Sequence, residues 1–165
     1  MGLWRNLRDF FKGYSDYQPS VAALVAYLPV GDLETLRLWR ERHIPYAKDT
    51  DPKGLDNYNG ADLTIKARKG DCESIAAVYK EVIQMWPGWE AWHVLFVFVE
   101  AGGAGVYKAH DVCVFVNPDG EQGWIDGGVC WGGYSIMRAS YEALGWHITD
   151  WLVVNDIGQF ILHIS

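Results

Sequence analysis

At Pro87-Gly88 the chain changes from one apolar pattern to another, and that change restricts the fold more than any other feature. Before it, Cys72, Ile75, Ala76, Tyr79, Val82, Ile83 and Trp86 fall at i, i+3, i+4, i+7, i+10, i+11 and i+14, the spacing that lines one face of an α-helix. Asp71 is a good N-cap, and Pro87-Gly88 ends the segment. After it come strand candidates rich in Val, Phe and Ile: Trp92–Glu100, Ala109–Val116, Gly123–Asp126, Trp151–Asn155 and Gln159–Ile164. Residues 135–145 read as a further helix. Helices first and a meander of antiparallel strands afterwards is an α+β pattern, with the helices expected on one face of the sheet.

Upstream of residue 71 the signals are weaker. Residues 1–12 mix Trp4, Leu7, Phe10 and Phe11 with Arg5, Arg8 and Lys12 and read as a short amphipathic helix, which docks on the domain or lies on a membrane surface. They do not form the apolar stretch of a signal peptide. Val21 to Val30 is apolar but too short to span a bilayer. Asp32 opens a helical pattern over 32–42 that Pro45 closes, and residues 45–63, rich in Asp, Asn, Gly and Pro, read as loop. The length of 165 residues fits one domain, 1–165, with an N-terminal helical part (1–45) and a core (46–165) that carries the candidate catalytic residues.

Composition narrows the functions. Half the residues are hydrophobic, with nine Trp and nine Tyr, enough for a core at this size. A net charge of −7 argues against nucleic acid as a partner, because phosphate contacts need clustered Lys and Arg. Three cysteines, Cys72, Cys113 and Cys130, make no disulfide scaffold and no zinc spacing; they are expected to be reduced, in a cytosol-like compartment.

Among them Cys72 has the position of a nucleophile. It sits in Lys69-Gly70-Asp71-Cys72-Glu73-Ser74, at the first turn of its helix. There the unpaired N–H groups and the partial positive charge favour a thiolate and can hold an oxyanion. The alternative is a small buried residue that packs. A nucleophilic thiol also needs a base. His110 starts the second long strand, and Asn117-Pro118-Asp119-Gly120 after that strand is a strong type I turn with Gly120 suited to the left-handed position. That turn pairs Asn117 with Glu121, which sets His110 opposite Gly128 and Asp126 opposite Val112. His110 and Asp126 then share a face as diagonal neighbours. His93, at the start of the first long strand, is the competing base.

With these residues in place the sequence resembles the transglutaminase-like superfamily, closest to the bacterial transglutaminase-like cysteine proteinases. The matching stretch runs from about Tyr46 to Asp126, roughly half the chain, and includes Gly70-Asp71-Cys72-Glu73, Ala76, the upstream Tyr46, Asp49 and Asp56, and the order Cys72, His110, Asp126. The resemblance implies a papain-like core, a Cys-bearing helix packed on an antiparallel sheet, with Cys72 as nucleophile, His110 as base and Asp126 as its orienting acid. The chain departs from the family at Ser74, where a second acid is common, and in the glycine-rich run Ala101–Gly105, which reads as a lid. Some relatives depend on calcium through acids flanking the cysteine, which makes Asp71 and Glu73 candidate calcium ligands; the plainer reading is a helix cap and a first-turn acid. No cofactor is required by the chemistry.

The function expected is a thiol hydrolase, a cysteine peptidase or amidase, acting on a protein or peptide substrate. The alternatives are a transamidase using the same acyl-enzyme, a cell-wall peptide hydrolase such as a phage encodes, and a catalytically silent binding module.

Overall fold

The computed structural model describes residues 16–48, 60–103, 105–154 and 160–164. The expected helix over 1–12, and Asp49 and Asp56, lie outside them. In chain order the elements are α1 (Val21–Tyr27), α2 (Leu33–His43), α3 (Ala61–Ala67), α4 (Cys72–Gln84), β1 (Glu90–Glu100), β2 (Tyr107–Val116), β3 (Gln122–Ile125), β4 (Val129–Trp131), α5 (Tyr134–Glu142), β5 (Trp146–Val154) and β6 (Phe160–Ile164). The strands form one antiparallel sheet in the order β4-β3-β2-β1-β5-β6. The architecture is α+β.

Alternation along the strands sorts the sheet into two faces. Ala91, Cys113, Phe115 and Ile125 point to one side and join the core of α4, where Ala77, Val78, Tyr79, Val82 and Ile83 are fully or almost fully buried. Leu24 of α1 and Leu36 and Trp39 of α2 belong to this same core. Val94, Phe96, Phe98, Val112 and Val114 point to the other side, against Met137 and Tyr141 of α5 and Ile148, Trp151 and Val153 of β5. Helices therefore cover both faces, which corrects the expectation of a single helical face. The reason is that both stripes of β1 and β2 are apolar, so each needs a cover.

Other elements shift for tertiary reasons. Residues 61–63, read as the end of a loop, instead open the helix Ala61–Ala67, because Ala61, Thr64 and Ile65 are buried beside α4. Strand β5 begins at Trp146, five residues before Trp151; its pairing with β1 continues across the polar Thr149-Asp150 through an irregularity at Val97/Phe98. Strand β4, three residues long, carries too short a pattern to be visible in sequence.

The β2–β3 hairpin matches its expected register: Cys113 pairs with Ile125, Val114 with Trp124, and Asn117 N–H donates to Glu121 O at 3.0 Å. The Asn117 Oδ1 accepts from the N–H groups of Asp119 and Glu121, at 3.0 and 2.8 Å, and Gly120 takes φ +81°. The ladder stops at Ile125. Asp126 N–H instead donates to Gly128 O at 3.1 Å, turning the chain into β4, so the expected pairing of His110 with Gly128 is replaced by a second turn. Among the described residues no helix is long and apolar enough to cross a membrane.

Candidate active site

Three elements meet where the β2–β3 ladder ends. Helix α4 begins at Cys72, with the Asp71 side chain accepting from Ser74 N–H at 3.0 Å, the N-cap geometry expected from the sequence. Just before it, Gly70 bridges to Tyr46: Ala47 N–H donates to Gly70 O at 2.8 Å and Gly70 N–H to Pro45 O at 3.4 Å. A Cβ on Gly70 would sit 2.9 Å from the Ser74 Cβ and 3.0 Å from the Thr64 Cγ2, so the close approach of α3 to the start of α4 depends on glycine. The segment before Cys72 is thereby pinned on both sides. Tyr46 stands exposed beside the cysteine; burial first, then the charges of Cys72 and Asp71, push its phenol up.

His110 projects from the start of β2, and its Nε2 lies 2.9 Å from Asp126 Oδ2. Cys72 lies near enough to add its own pull on the ring's proton. With Nε2 committed to the carboxylate, Nδ1 is the nitrogen left for the sulfur. Burial alone would lower the basicity of this ring. The hydrogen bond to Asp126, the nearby Cys72 and the charges of both partners more than offset it, and the His110 pKa is pushed up to about 10. For Asp126 burial also opposes the charge, and the His110 contact, the Tyr141 hydrogen bond and the Arg40 charge overcome it, so its carboxyl lies below the usual carboxylate range.

The imidazole is boxed by aromatic rings. Phe96 and Trp146 meet it edge-on, with centroids at 5.3 and 5.6 Å, and Tyr141 stands at 6.1 Å. Beside Asp126 an open pocket is walled by Trp124, Gly127, Gly128, Cys130, Tyr141 and Leu144.

The remaining candidates separate from this group. His93, the competing base, is fully buried on the α4 face and bonded through Nδ1 to Asp111 Oδ2 at 3.0 Å. Cys113 is buried, and burial, reinforced by the Asp111 charge, pushes its thiol well above the ordinary range. Cys130 is half-buried, and burial followed by the Asp126 charge pushes its thiol up. Cys72 is half-buried, sits at a helix start, and is the one of the three that raises the basicity of the His110 imidazole. Of the two acids considered for calcium, Asp71 serves as the cap and Glu73 is half-buried in the first turn. Among the described residues no cluster of three His, Cys, Asp or Glu side chains is gathered to hold a metal ion.

Tyr141 and Trp146 escaped sequence reasoning. The helix carrying Tyr141 was legible, but nothing in its spacing showed that it covers the face holding His110 and Asp126. No family model matches the chain, and no curated protein matches it.

Proposed function

We propose that the protein is a thiol hydrolase with a papain-like, transglutaminase-like core, a cysteine peptidase or amidase that cleaves a peptide or amide bond through an acyl-enzyme. One observation carries the reading: a single imidazole is bonded to a carboxylate through one nitrogen, and a cysteine at a helix start lies close enough to raise its basicity. That is the arrangement in which a base removes a thiol proton while an acid fixes the tautomer and stabilises the resulting imidazolium.

In the proposed reaction the thiol proton resides on His110 and the Cys72 thiolate attacks the substrate carbonyl carbon. The carbonyl π pair moves to oxygen, and the first-turn N–H groups of α4 face the developing negative charge. Collapse of this intermediate breaks the C–N bond, His110 delivers its proton to the leaving amine, and a thioester remains on Cys72. His110, now neutral, takes a proton from water as the water attacks the thioester. Collapse of this second tetrahedral intermediate breaks the C–S bond, its electron pair goes to sulfur and the acid product leaves, so the Cys72 thiolate again stands beside protonated His110.

The test is competitive alkylation with iodoacetamide at neutral pH, read by peptide mass spectrometry. Cys72 is expected to label at least about tenfold faster than Cys113 or Cys130, as a thiolate beside a cation does. His110→Ala removes that advantage, and it lowers turnover of a cleaved amide by on the order of 10²–10⁴-fold. Equal labelling of the three cysteines, unaffected by His110→Ala, would overturn the proposal. Products trapped with an added primary amine distinguish hydrolysis from acyl transfer.

A further inference from the structure

Asp126 has a second donor. Tyr141, reaching across from α5, donates its O–H to Asp126 Oδ2 at 2.9 Å, the same oxygen that faces His110 Nε2 at 2.9 Å. The Tyr141 ring is itself held: it stacks on Trp146 with centroids at 5.4 Å and planes 8° apart, and packs against Phe96 at 4.6 Å. Tyr141 is 6% exposed, whereas the Asp126 side chain is 35% exposed. The phenol is thus the rigid member of the pair and the carboxylate the one with freedom to turn towards water.

Resting on the hydrolase reading above, we propose that Tyr141 is a positioning residue for the reaction, clamping the Asp126 carboxylate so that Oδ2 stays aimed at His110. Without the phenol, Asp126 follows β3 into a turn flanked by Gly127 and Gly128, where no Cβ at either glycine would meet a neighbour within 4 Å. Among the described residues the carboxylate would then keep one side-chain hydrogen bond, to His110. The clamp also joins α5 to the end of the β2–β3 ladder, which gives this helix a role in the site beyond covering the sheet. Burial, reinforced by the Asp126 charge, pushes the Tyr141 phenol up, so it stays a donor throughout the working pH range. The other groups that act on or feel Asp126 are Arg40 of α2, Tyr79 of α4 and Cys130 of β4. All remain when Tyr141 is changed.

Tyr141→Phe deletes the hydroxyl and keeps the ring. The His110 imidazole, followed by ¹³C–¹H NMR titration, is expected to lose basicity, its pKa moving from about 10 part of the way towards the value in Asp126→Asn. Cys72 alkylation slows about three- to tenfold, less than the full weight of one hydrogen bond to a charged acceptor because Tyr141 acts on the thiol only through Asp126 and His110. Tyr134→Phe, on the same helix but bonded to Trp92 Nε1 at 2.8 Å, is the control and leaves both readouts unchanged. A His110 pKa in Tyr141→Phe that equals or exceeds the wild-type value would overturn the clamp, whatever the melting temperature does. If the Phe variant does not fold, the Tyr141 hydroxyl proton decides: a downfield, slowly exchanging resonance in the wild type that disappears in Asp126→Ala supports the clamp, and its absence from the wild type overturns it. Loss of Cys72 reactivity in His110→Ala without any change in Tyr141→Phe removes the clamp alone. Unchanged reactivity in His110→Ala removes the hydrolase reading, while the His110 titration still decides the clamp.

Discussion

At His110 opposing influences act on one proton. Burial favours the neutral ring, while the Asp126 carboxylate and Cys72 favour the cation and prevail. Because its folded pKa is raised from 6.5 to about 10, His110 contributes stability that is fully present below about 6.5 and is lost as pH rises through about 10. In the wild type the imidazole is expected to remain protonated at pH 8, visible in its ¹⁵N chemical shifts. In Asp126→Asn the carboxylate charge is gone and the pKa drops towards the ordinary imidazole value. A His110 that titrates near 6.5 in the wild type would contradict the pairing. Asp126 has the opposite sign: its depressed pKa gives stability above about 3.8 that disappears as pH falls through the lower folded value.

For the elements, the start of α4 is where structure and chemistry are closest. Asp71 combines a hydrogen-bonding cap with a negative charge one residue from the thiol, and substitutions separate the two. Asn caps as well as Asp, so Asp71→Asn should leave the denaturant midpoint nearly unchanged, whereas Asp71→Ala costs about 1 kcal/mol. Equal loss in both variants would mean that charge, not capping, is what Asp71 supplies. Calcium titration by calorimetry is expected to give no heat with the wild type. A calcium heat abolished by Asp71→Asn with Glu73→Gln would return both acids to the role of ligands. The β2–β3 hairpin is simpler: the Asn117 side chain and Gly120 set its register, and the register carries Asp126 to the end of the ladder where His110 stands.

Across the whole molecule the two faces of the sheet hold two His–Asp pairs of different character. His110 and Asp126 are partly exposed where the β2–β3 ladder ends; His93 and Asp111 are buried beneath α4, near Lys80. Burial pushes the Asp111 carboxyl up despite His93, and its Oδ1 has no hydrogen-bond partner among the described residues. Such a pair adds little net stability, yet breaking it strands one polar group in the core. Asp111→Ala is therefore expected to lower the unfolding free energy by about 3–5 kcal/mol, while the double change His93→Leu, Asp111→Val is near neutral or stabilising. Denaturant unfolding of both variants checks this. A double variant as unstable as the single one would show that the pair is needed for folding rather than merely tolerated.

Local patterns in the sequence determined much of this protein. The helical spacing from Cys72 placed the thiol at a helix start, the turn at Asn117–Gly120 set a hairpin register, and shared parity brought His110 and Asp126 to one face. These depend on interactions between near neighbours in the chain, which composition and spacing record directly. What only the tertiary structure decided involves partners far apart. Ala61–Ala67 is a helix because α4 buries it, and α5 occupies the second face because β1 and β2 are apolar on both sides. In sequence His93 was the serious competitor to His110, which only the geometry of the Asn117–Gly120 hairpin favoured. It is set aside because its side chain points to the opposite face and is sealed against Asp111. The contact of Tyr141 with Asp126 joins a helix to a turn through side chains alone, so no periodicity could announce it.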